Sequence, residues 1–157
     1  MSTDSTDALF TMLRTKLLSF APLAGATLMT RLGGTTLNNA RLWKDNIPDN
    51  AAYPLGVMRI INRASSGQYN GERETFNLEI MLYGRPRSQA VAIEDAADVC
   101  DQAMLRYSDS TSGLMFSRER QRDTLPAFAD PADREVVQVR LVYSAVVWPR
   151  MLTQYSS

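Results

Sequence analysis

The segment TFNLEIMLY, residues 75–83, has the clearest pattern in the chain. One set of alternate residues is apolar: Phe76, Leu78, Ile80 and Leu82. The other set is mixed: Asn77, Glu79, Met81 and Tyr83. Because successive side chains of a β-strand point to opposite faces, this alternation predicts a strand with one face in the core.

Further strands are predicted on either side of this segment. In residues 53–63, Val57, Arg59 and Ile61 alternate with Met58 and Ile60, although the two faces are less distinct. The connection 64–74 contains two glycines and no apolar run, which predicts a long hairpin loop between antiparallel strands. Residues 114–122 have strand character, and residues 125–133 are expected to form a proline-containing excursion.

The longest apolar alternation lies in residues 134–148 and stops at Pro149. At about 3.3 Å per residue this strand would span about 45 Å. Most strands have about five or six residues. We therefore expect that part of the segment extends past its own sheet or pairs with another subunit.

Two segments have the spacing of amphipathic helices. Residues 8–20 follow Ser5 and Thr6, either of which can cap a helix, and the pattern ends near Pro22. This helix could dock on a sheet of its own chain or on a partner helix, and the first is favoured. A second helix runs from Ser88 to about Tyr107. Its expected inner stripe is Ala92, Ala96, Val99, Cys100, Ala103 and Tyr107.

The order of elements predicts an α+β fold, an antiparallel sheet of about four strands with helices packed on one face. Between the first helix and the first strand, residues 23–54 are expected to be irregular, with a break at Gly33-Gly34 and a short helix near residues 24–32. The 157 residues fit a single domain, with a polar N-terminal tail and a short C-terminal tail.

The composition removes most of the usual catalytic side chains. The chain has no histidine, and Cys100 is its one cysteine, so a serine triad, a zinc hydrolase centre and a C-x-x-C pair are excluded. No phosphate-binding glycine motif is present. We predict no catalytic residue, no metal and no cofactor. Asp, Glu, Lys and Tyr can still act as acids and bases, so a carboxylate pair assembled by folding remains an enzymatic alternative.

The charges do not indicate a membrane or nucleic-acid protein. Seventeen Lys and Arg balance seventeen Asp and Glu, so no global field attracts a polyanion. No run of about eighteen apolar residues is present, as a membrane-spanning helix needs. The first residues are polar and acidic, unlike those of a signal peptide. We expect a soluble protein made inside the cell.

Two charged groups are candidate sites. Glu94, Asp95, Asp98 and Asp101 could gather ligands for a divalent cation, although such a run is more often a solvated helix face. Arg118, Arg120 and Arg122 have strand spacing, which would place three guanidinium groups on one face, against phosphates or an acidic protein surface. A solvated edge explains these arginines equally well. With zero net charge, the acidic helix and the basic strand suggest opposite sides of a self-complementary assembly.

The order of these patterns resembles the tail terminator, or tail completion, proteins of long-tailed bacteriophages. The resemblance covers most of the chain: the helix at residues 8–20, the strands at 53–60 and 75–84, the alanine-rich acidic helix at 90–106 and the late strand at 135–148. It depends on this order of patterns and contains no invariant motif. The long segments 23–54 and 125–133 depart from a minimal member.

The resemblance implies a non-enzymatic virion protein. Such proteins form a homo-oligomeric ring, usually of six subunits, at the head-proximal end of the tail tube, where they end tube polymerisation and present a surface to the head-tail connector. Assembly would occur in the host cytoplasm, and DNA can pass through the lumen without sequence-specific binding. The alternatives are a connector or neck protein on the portal side and a small carboxylate- or metal-dependent enzyme.

Two kinds of segment are predicted to form the interfaces. Residues 134–148 or 114–122 would contribute a strand edge that a neighbouring subunit covers. The loop 64–74 would contact the tube or connector and become ordered on docking. The candidate interface residues are Gln68, Tyr69, Arg73, Arg118, Arg120, Arg122 and Arg140.

Overall fold

A computed structural model describes the backbone of residues 3–65, 74–105, 108–109, 114–130 and 133–147, and the side chains of residues 9–61, 75–104 and 135–145. The helices are α1 (Thr3–Ser19), α2 (Leu28–Arg31) and α3 (Ala90–Leu105), and a 3-10 turn (Arg87–Gln89) precedes α3. The strands are β1 (Leu42–Lys44), β2 (Leu55–Ser65), β3 (Glu74–Gly84), β4 (Ser108–Asp109), β5 (Leu114–Asp130) and β6 (Asp133–Val147).

The strands form one sheet in the order β1-β2-β3-β6-β5-β4. Every neighbouring pair is antiparallel except β1 and β2, which are parallel. The predicted α+β class is therefore confirmed, and the four long strands are those expected from the alternation. Strands β1 and β4 were not predicted, because two or three residues are too few to show a period of two.

The register across β2, β3 and β6 gathers the apolar side chains on one face. Ile80 lies opposite Met58 and Leu141, and Leu78 lies opposite Ile60 and Tyr143. Directly opposed residues of antiparallel strands share a face. These residues belong to the main core together with the apolar sides of the helices, so all three helices contribute to the same side of the sheet.

Helix α1 docks on its own chain, as favoured from its sequence. Leu9, Leu13 and Leu17 are buried in the core. Arg14 also ties the helix to the segment at β1, since its Nε donates to the carbonyl oxygen of Leu42 (2.8 Å) and its Nη2 to that of Ala40 (3.2 Å). The alternative that α1 awaits a partner helix is not needed to bury this stripe.

The inner stripe of α3 is rotated from the predicted one. Ala92 is exposed, and Ile93, Ala97 and Met104 are buried in its place. The alanine spacing fitted several helical phases, and the observed one removes the larger side chains from water. Ala96, Val99, Cys100 and Ala103 are buried as predicted. Tyr107 lies outside the described residues.

The break predicted at Gly33-Gly34 is the end of α2. Gly33 has a positive φ of 75°, and the amide groups of Gly33 and Gly34 donate to the carbonyl oxygens of Thr30 (3.0 Å) and Met29 (2.8 Å). This is a Schellman motif, in which a left-handed residue closes the helix. At its other end, the hydroxyl of Thr27 accepts the Thr30 amide proton, so the expected short helix is confirmed.

The structure corrects two predictions about the last strands. Strand β6 lies between β3 and β5, and its backbone pairs with both. It therefore offers no free edge to another subunit and does not extend beyond its own sheet over Asp133–Val147. Nor does β5 stop before residue 125: it continues to Asp130, with its register shifting between Asp123 and Phe128, around Pro126.

A buried hydrogen bond joins α3 to β6. The hydroxyl of Tyr143 donates to Oδ1 of Asp101 at 2.5 Å, and both residues are buried. Asp101 is thus part of the packing between helix and sheet, whereas the sequence pattern suggested a solvated face. Buried polar groups need such partners because water no longer supplies them.

Replacing Tyr143 by phenylalanine should lower the free energy of unfolding by about 1.5 to 3 kcal/mol, because the change removes a buried hydrogen bond to a carboxylate. Chemical denaturation measures this difference. The matched control is Tyr53→Phe at a half-buried position. Tyr53 accepts a hydrogen bond from Arg41 Nη2 at 3.3 Å through its backbone carbonyl oxygen, which this substitution leaves in place. Equal effects of the two substitutions would contradict a stabilising role for the Tyr143 hydroxyl.

Candidate assembly surface

The side of the sheet turned away from the helices is the candidate site, and we call it the open face. Its members among the described residues include Leu55, Val57, Arg59, Ile61, Asn77, Glu79, Met81, Tyr83, Gln138, Arg140, Val142 and Ser144. Val57 is buried, but it does not belong to the main core cluster. Ile61, Met81 and Val142 remain half-buried. The open face thus combines apolar and charged side chains.

Three charged residues at the centre of the open face form the arginine-glutamate cluster. Arg59 on β2 lies directly opposite Glu79 on β3, and Arg140 on β6 reaches the same carboxylate from the other side. Arg59 Nε donates to Glu79 Oε1 at 3.0 Å, and Arg140 Nε donates to Oε2 at 2.8 Å. Nη2 of Arg59 also contacts Oε1, and Nη2 of Arg140 also contacts Oε2. One carboxylate therefore holds two arginines.

Burial and charge act in opposite directions on Glu79, which is 4% exposed. Removal from water raises the pKa of its carboxyl group, but the hydrogen bonds and charges of Arg59 and Arg140 outweigh this, and the pKa is lowered from its ordinary value. The same interaction raises the pKa of Arg59. Glu79 is therefore ionised at neutral pH, and Asp45 adds a second negative charge close enough to raise the pKa of Arg59.

The cluster should make stability depend on pH in the acid range. The pKa of Glu79 is lower in the folded chain than in the unfolded chain. Its contribution to the free energy of unfolding is therefore complete above the ordinary glutamate pKa of about 4.3. That contribution is lost as the pH falls through the lower, folded pKa. We expect the difference in thermal midpoint between wild type and Glu79→Gln to shrink over this range. A difference that is independent of pH would contradict the assignment.

The cluster has hydrogen-bonding capacity toward solvent. Arg59 and Arg140 use Nε and Nη2 on Glu79, while their side chains stay 49% and 39% exposed. A guanidinium has five N–H donors in a fixed plane. The donors that do not face Glu79 can bind an acidic group, and the two arginines are held in place for it by a buried carboxylate.

The predicted interface residues fall into three groups in the structure. Arg140 belongs to the arginine-glutamate cluster. Gln68, Tyr69 and Arg73 lie outside the described residues. The backbone of Arg120 pairs with Tyr143 and that of Arg122 with Leu141, whereas Arg118 falls in the register shift between Phe116 and Arg120. The side chains of all three arginines lie outside the described part, so their shared face stays a prediction.

Arg59 and Glu79 were not predicted as a site. The signal was present, since both lie on the mixed faces of two strands expected to pair. Nothing in the sequence set the register, however, because the long connection 64–74 allows several pairings. A slip of one residue would have separated the two side chains onto opposite faces.

The acidic candidate on α3 does not assemble a metal centre in the described part of the chain. Asp95 and Asp98 are exposed, Glu94 is half-buried, and Asp101 binds Tyr143. Among the residues that the structure describes, no group of three or more His, Cys, Asp or Glu could hold an ion. Beside the helix lies a cleft of about 330 Å³, lined by Ala24, Gly25, Arg31, Asp95, Asp98, Val99 and Gln102.

Both margins of the sheet have incomplete backbone pairing. Within the described residues, β4 pairs with β5 only at Leu114 and Met115. On the other side, β1 covers β2 only from Gly56 to Met58. Unpaired strand edges can accept another strand. None of the described helices has the length and apolar character needed to cross a membrane.

No protein-family model and no curated protein sequence matches this chain. Similar folds do occur among solved structures. One is a chain of the "Virion of native gene transfer agent (GTA) particle", with 16% identity and a TM-score of 0.57. The match covers 94% of this chain and 99% of that chain. This protein therefore has, over nearly its whole length, the fold of a chain found in that virion.

Proposed function

We propose that this protein is a structural component of a phage-like virion and acts as a tail terminator. The observation that carries the proposal is the fold shared with a virion chain along almost the full length of both proteins. The resemblance of the sequence patterns to tail terminator proteins agrees with it. The role is non-enzymatic, since shape and surface charge perform it.

In the proposed role the chain forms a ring, of six subunits by the resemblance, on the head-proximal end of the tail tube. A repeated contact between two different surfaces forms a ring when the rotation from each subunit to the next adds up to a full turn. The incompletely paired margins of β2 and β5 and the open face support this proposal, because they give the domain surfaces for neighbours on several sides. The partners would be the tube protein and the head-tail connector.

The sharpest test of termination is the morphology of particles assembled without this protein. Tubes longer than normal, viewed by electron microscopy, are expected, since nothing would then stop polymerisation. Tails of normal length beside unattached heads would instead favour a connector on the portal side. Complementation with the wild-type chain is the control, and it should restore both tube length and attachment.

A purified sample gives the second test. Light scattering coupled to size-exclusion chromatography should give a mass several times 17.5 kDa, and micrographs should show rings. The candidate interface residues in the loop 64–74 and in β5 should gain hydrogen-exchange protection when tail tubes are added. The proposed function would be overturned if the purified chain were strictly monomeric and particles assembled without it had normal tail length and attached heads.

A further inference from the structure

We propose that the open margin of β2 pairs with the open margin of β5 in a second copy of this chain and so joins the two sheets, an inference that rests on the proposed ring. We call a margin open where no neighbouring strand pairs with it in the described backbone. For β2 this stretch begins at Arg59, since β1 covers only Gly56 to Met58. For β5 it begins after Met115, where the pairing with β4 ends.

The margin of β2 is open because the chain turns away after β1. Asp45 has a positive φ of 65°, and its amide group donates to the carbonyl oxygen of Met58 (3.0 Å). The next amide, that of Asn46, donates back to the carbonyl oxygen of Lys44 (2.7 Å), which makes a tight turn. Within the described residues, no strand therefore lies beside Ile60 on this side of β2.

The backbone groups of Ile60 point to the open margin. Successive residues of a paired strand direct their N–H and C=O groups to opposite sides. The Gly56 amide donates to the Arg41 carbonyl oxygen (2.8 Å) on the β1 side, and the Met58 carbonyl oxygen accepts on the same side. Ile60 is two residues beyond Met58, and no register shift separates them. Its N–H and C=O groups therefore face outward, where a further strand can pair with them.

The same alternation, followed across the sheet, places Arg122 at the open margin of β5. On β2, Arg59 bonds inward to its opposite residue Glu79. Two further steps of the alternation make Arg140 the residue of β6 that bonds to β5, at its opposite residue Asp123. The backbone N–H and C=O groups of Arg122, one residue before Asp123, therefore point away from β6.

The two margins have the directions that a ring needs. Each of the pairs β2–β3, β3–β6 and β6–β5 is antiparallel, so β2 and β5 run in opposite directions. Subunits related by rotation about an axis along the strands keep these directions. The contact between β2 and β5 of neighbouring copies is therefore antiparallel, like most of the sheet. It is also heterologous, so it repeats around a ring and does not close a symmetric dimer.

The register that fits sets Ile60 of one copy opposite Arg122 of the next. Residues whose backbone groups face each other across a pair exchange two hydrogen bonds. This register sets residues 59–61 of β2 against residues 121–123 of β5, and no register shift interrupts either run. Moving the partner of Ile60 to Arg120 would extend the pairing into the shift that precedes Arg120.

A second copy is the occupant that satisfies both margins with one kind of contact. A strand from a different protein would cover one margin and leave the other open. Within one subunit, Ile60, Leu78, Tyr143 and Arg120 form one row across the sheet. The proposed partner Arg122 is thus two residues away from the row of Ile60. A closed sheet needs such a stagger, because its strands tilt relative to the axis.

Cysteine cross-linking tests this register. Ile61→Cys with Gln121→Cys places two thiols at directly opposed positions of a pair without mutual hydrogen bonds, where the Cα atoms lie about 4.5 Å apart and a disulfide can form. Oxidation should give a covalent ladder that ends at the number of subunits in the ring. The control is Ile61→Cys with Arg122→Cys, which should give no ladder because adjacent residues of a strand face opposite sides. The native Cys100 is buried.

Removing the outward N–H group of Ile60 tests the hydrogen bonds themselves. Proline lacks this group and is tolerated in an edge strand where the N–H would face solvent. Ile60→Pro should keep the monomer folded, as circular dichroism verifies, and should raise the protein concentration needed for assembly about tenfold, measured by light scattering. Ile60→Val is the matched control: it keeps the N–H group with a side chain of similar size and should assemble like the wild type.

Three results overturn this inference while the proposed function stands. The first is an intact ring of the Ile61→Cys, Gln121→Cys variant that forms no cross-link. The second is a folded Ile60→Pro variant that assembles like the wild type. The third is loss of tube binding in Ile60→Pro with the ring intact, which assigns the margin to the tube protein. The cross-link decides the matter if Ile60→Pro does not fold. A strictly monomeric wild-type chain also overturns the inference, and the proposed function falls with it if particles assembled without the protein are normal.

Discussion

Replacing both Arg59 and Arg140 by glutamine is expected to lower the free energy of unfolding by about 3 kcal/mol. The two substitutions leave the carboxylate of Glu79, which is 4% exposed, without its positive partners. Removing the partners of a buried charge costs about 3 to 5 kcal/mol, and the lower end applies because solvent can approach through the half-exposed arginine positions. Urea denaturation of the variant and wild type measures the loss.

Adding Glu79→Gln to this double variant should restore most of the stability. The third substitution removes the buried charge itself, so the remaining amides need only neutral hydrogen bonds. The triple variant must therefore be more stable than the double variant, although it carries one more substitution. A triple variant less stable than the double would contradict the assignment of the loss to an unpaired charge on Glu79.

Leu13→Ala is expected to destabilise the monomer by about 2 to 5 kcal/mol. Leu13 is fully buried in the core between α1 and the sheet, and its loss would leave a cavity. Thermal or urea unfolding measures the effect. The control is Thr15→Ala at an exposed position of the same helix, which should change stability by less than about 0.5 kcal/mol.

The dependence of this effect on protein concentration distinguishes packing of α1 on its own chain from packing on a partner subunit. Docking on its own chain makes the loss at Leu13 a property of one subunit, so it should be the same in dilute and concentrated samples. A loss that appears only where subunits associate would show that α1 packs on a partner instead.

The strands and helices that could be predicted are those with a long, one-sided pattern. Residues 75–83 needed no tertiary information, because four apolar residues on one face cannot remain in water without cost. The first helix was readable for the same reason. Short β1 was not, since its three residues are in a strand only because they pair with β2.

The candidate site was predictable only in part. Arg140 was selected from the sequence, but its importance was assigned to a free strand edge that β6 does not have. The pairing of Arg59 with Glu79 requires the register of β2 on β3, and the meeting of Arg140 with them requires β6 to insert beside β3 rather than at a margin. Hydrophobic alternation fixes which face a residue takes but not which residue it meets.

The sequence by itself determined the fold class, the positions of the long elements, and the lack of a histidine or paired cysteine for catalysis. These follow from local periodicity and composition, which act over a few residues. The tertiary structure alone decided the strand order and the placement of both arginines on one buried carboxylate. Those features join residues 20 and 61 positions apart, so they depend on long-range pairing that no local pattern encodes.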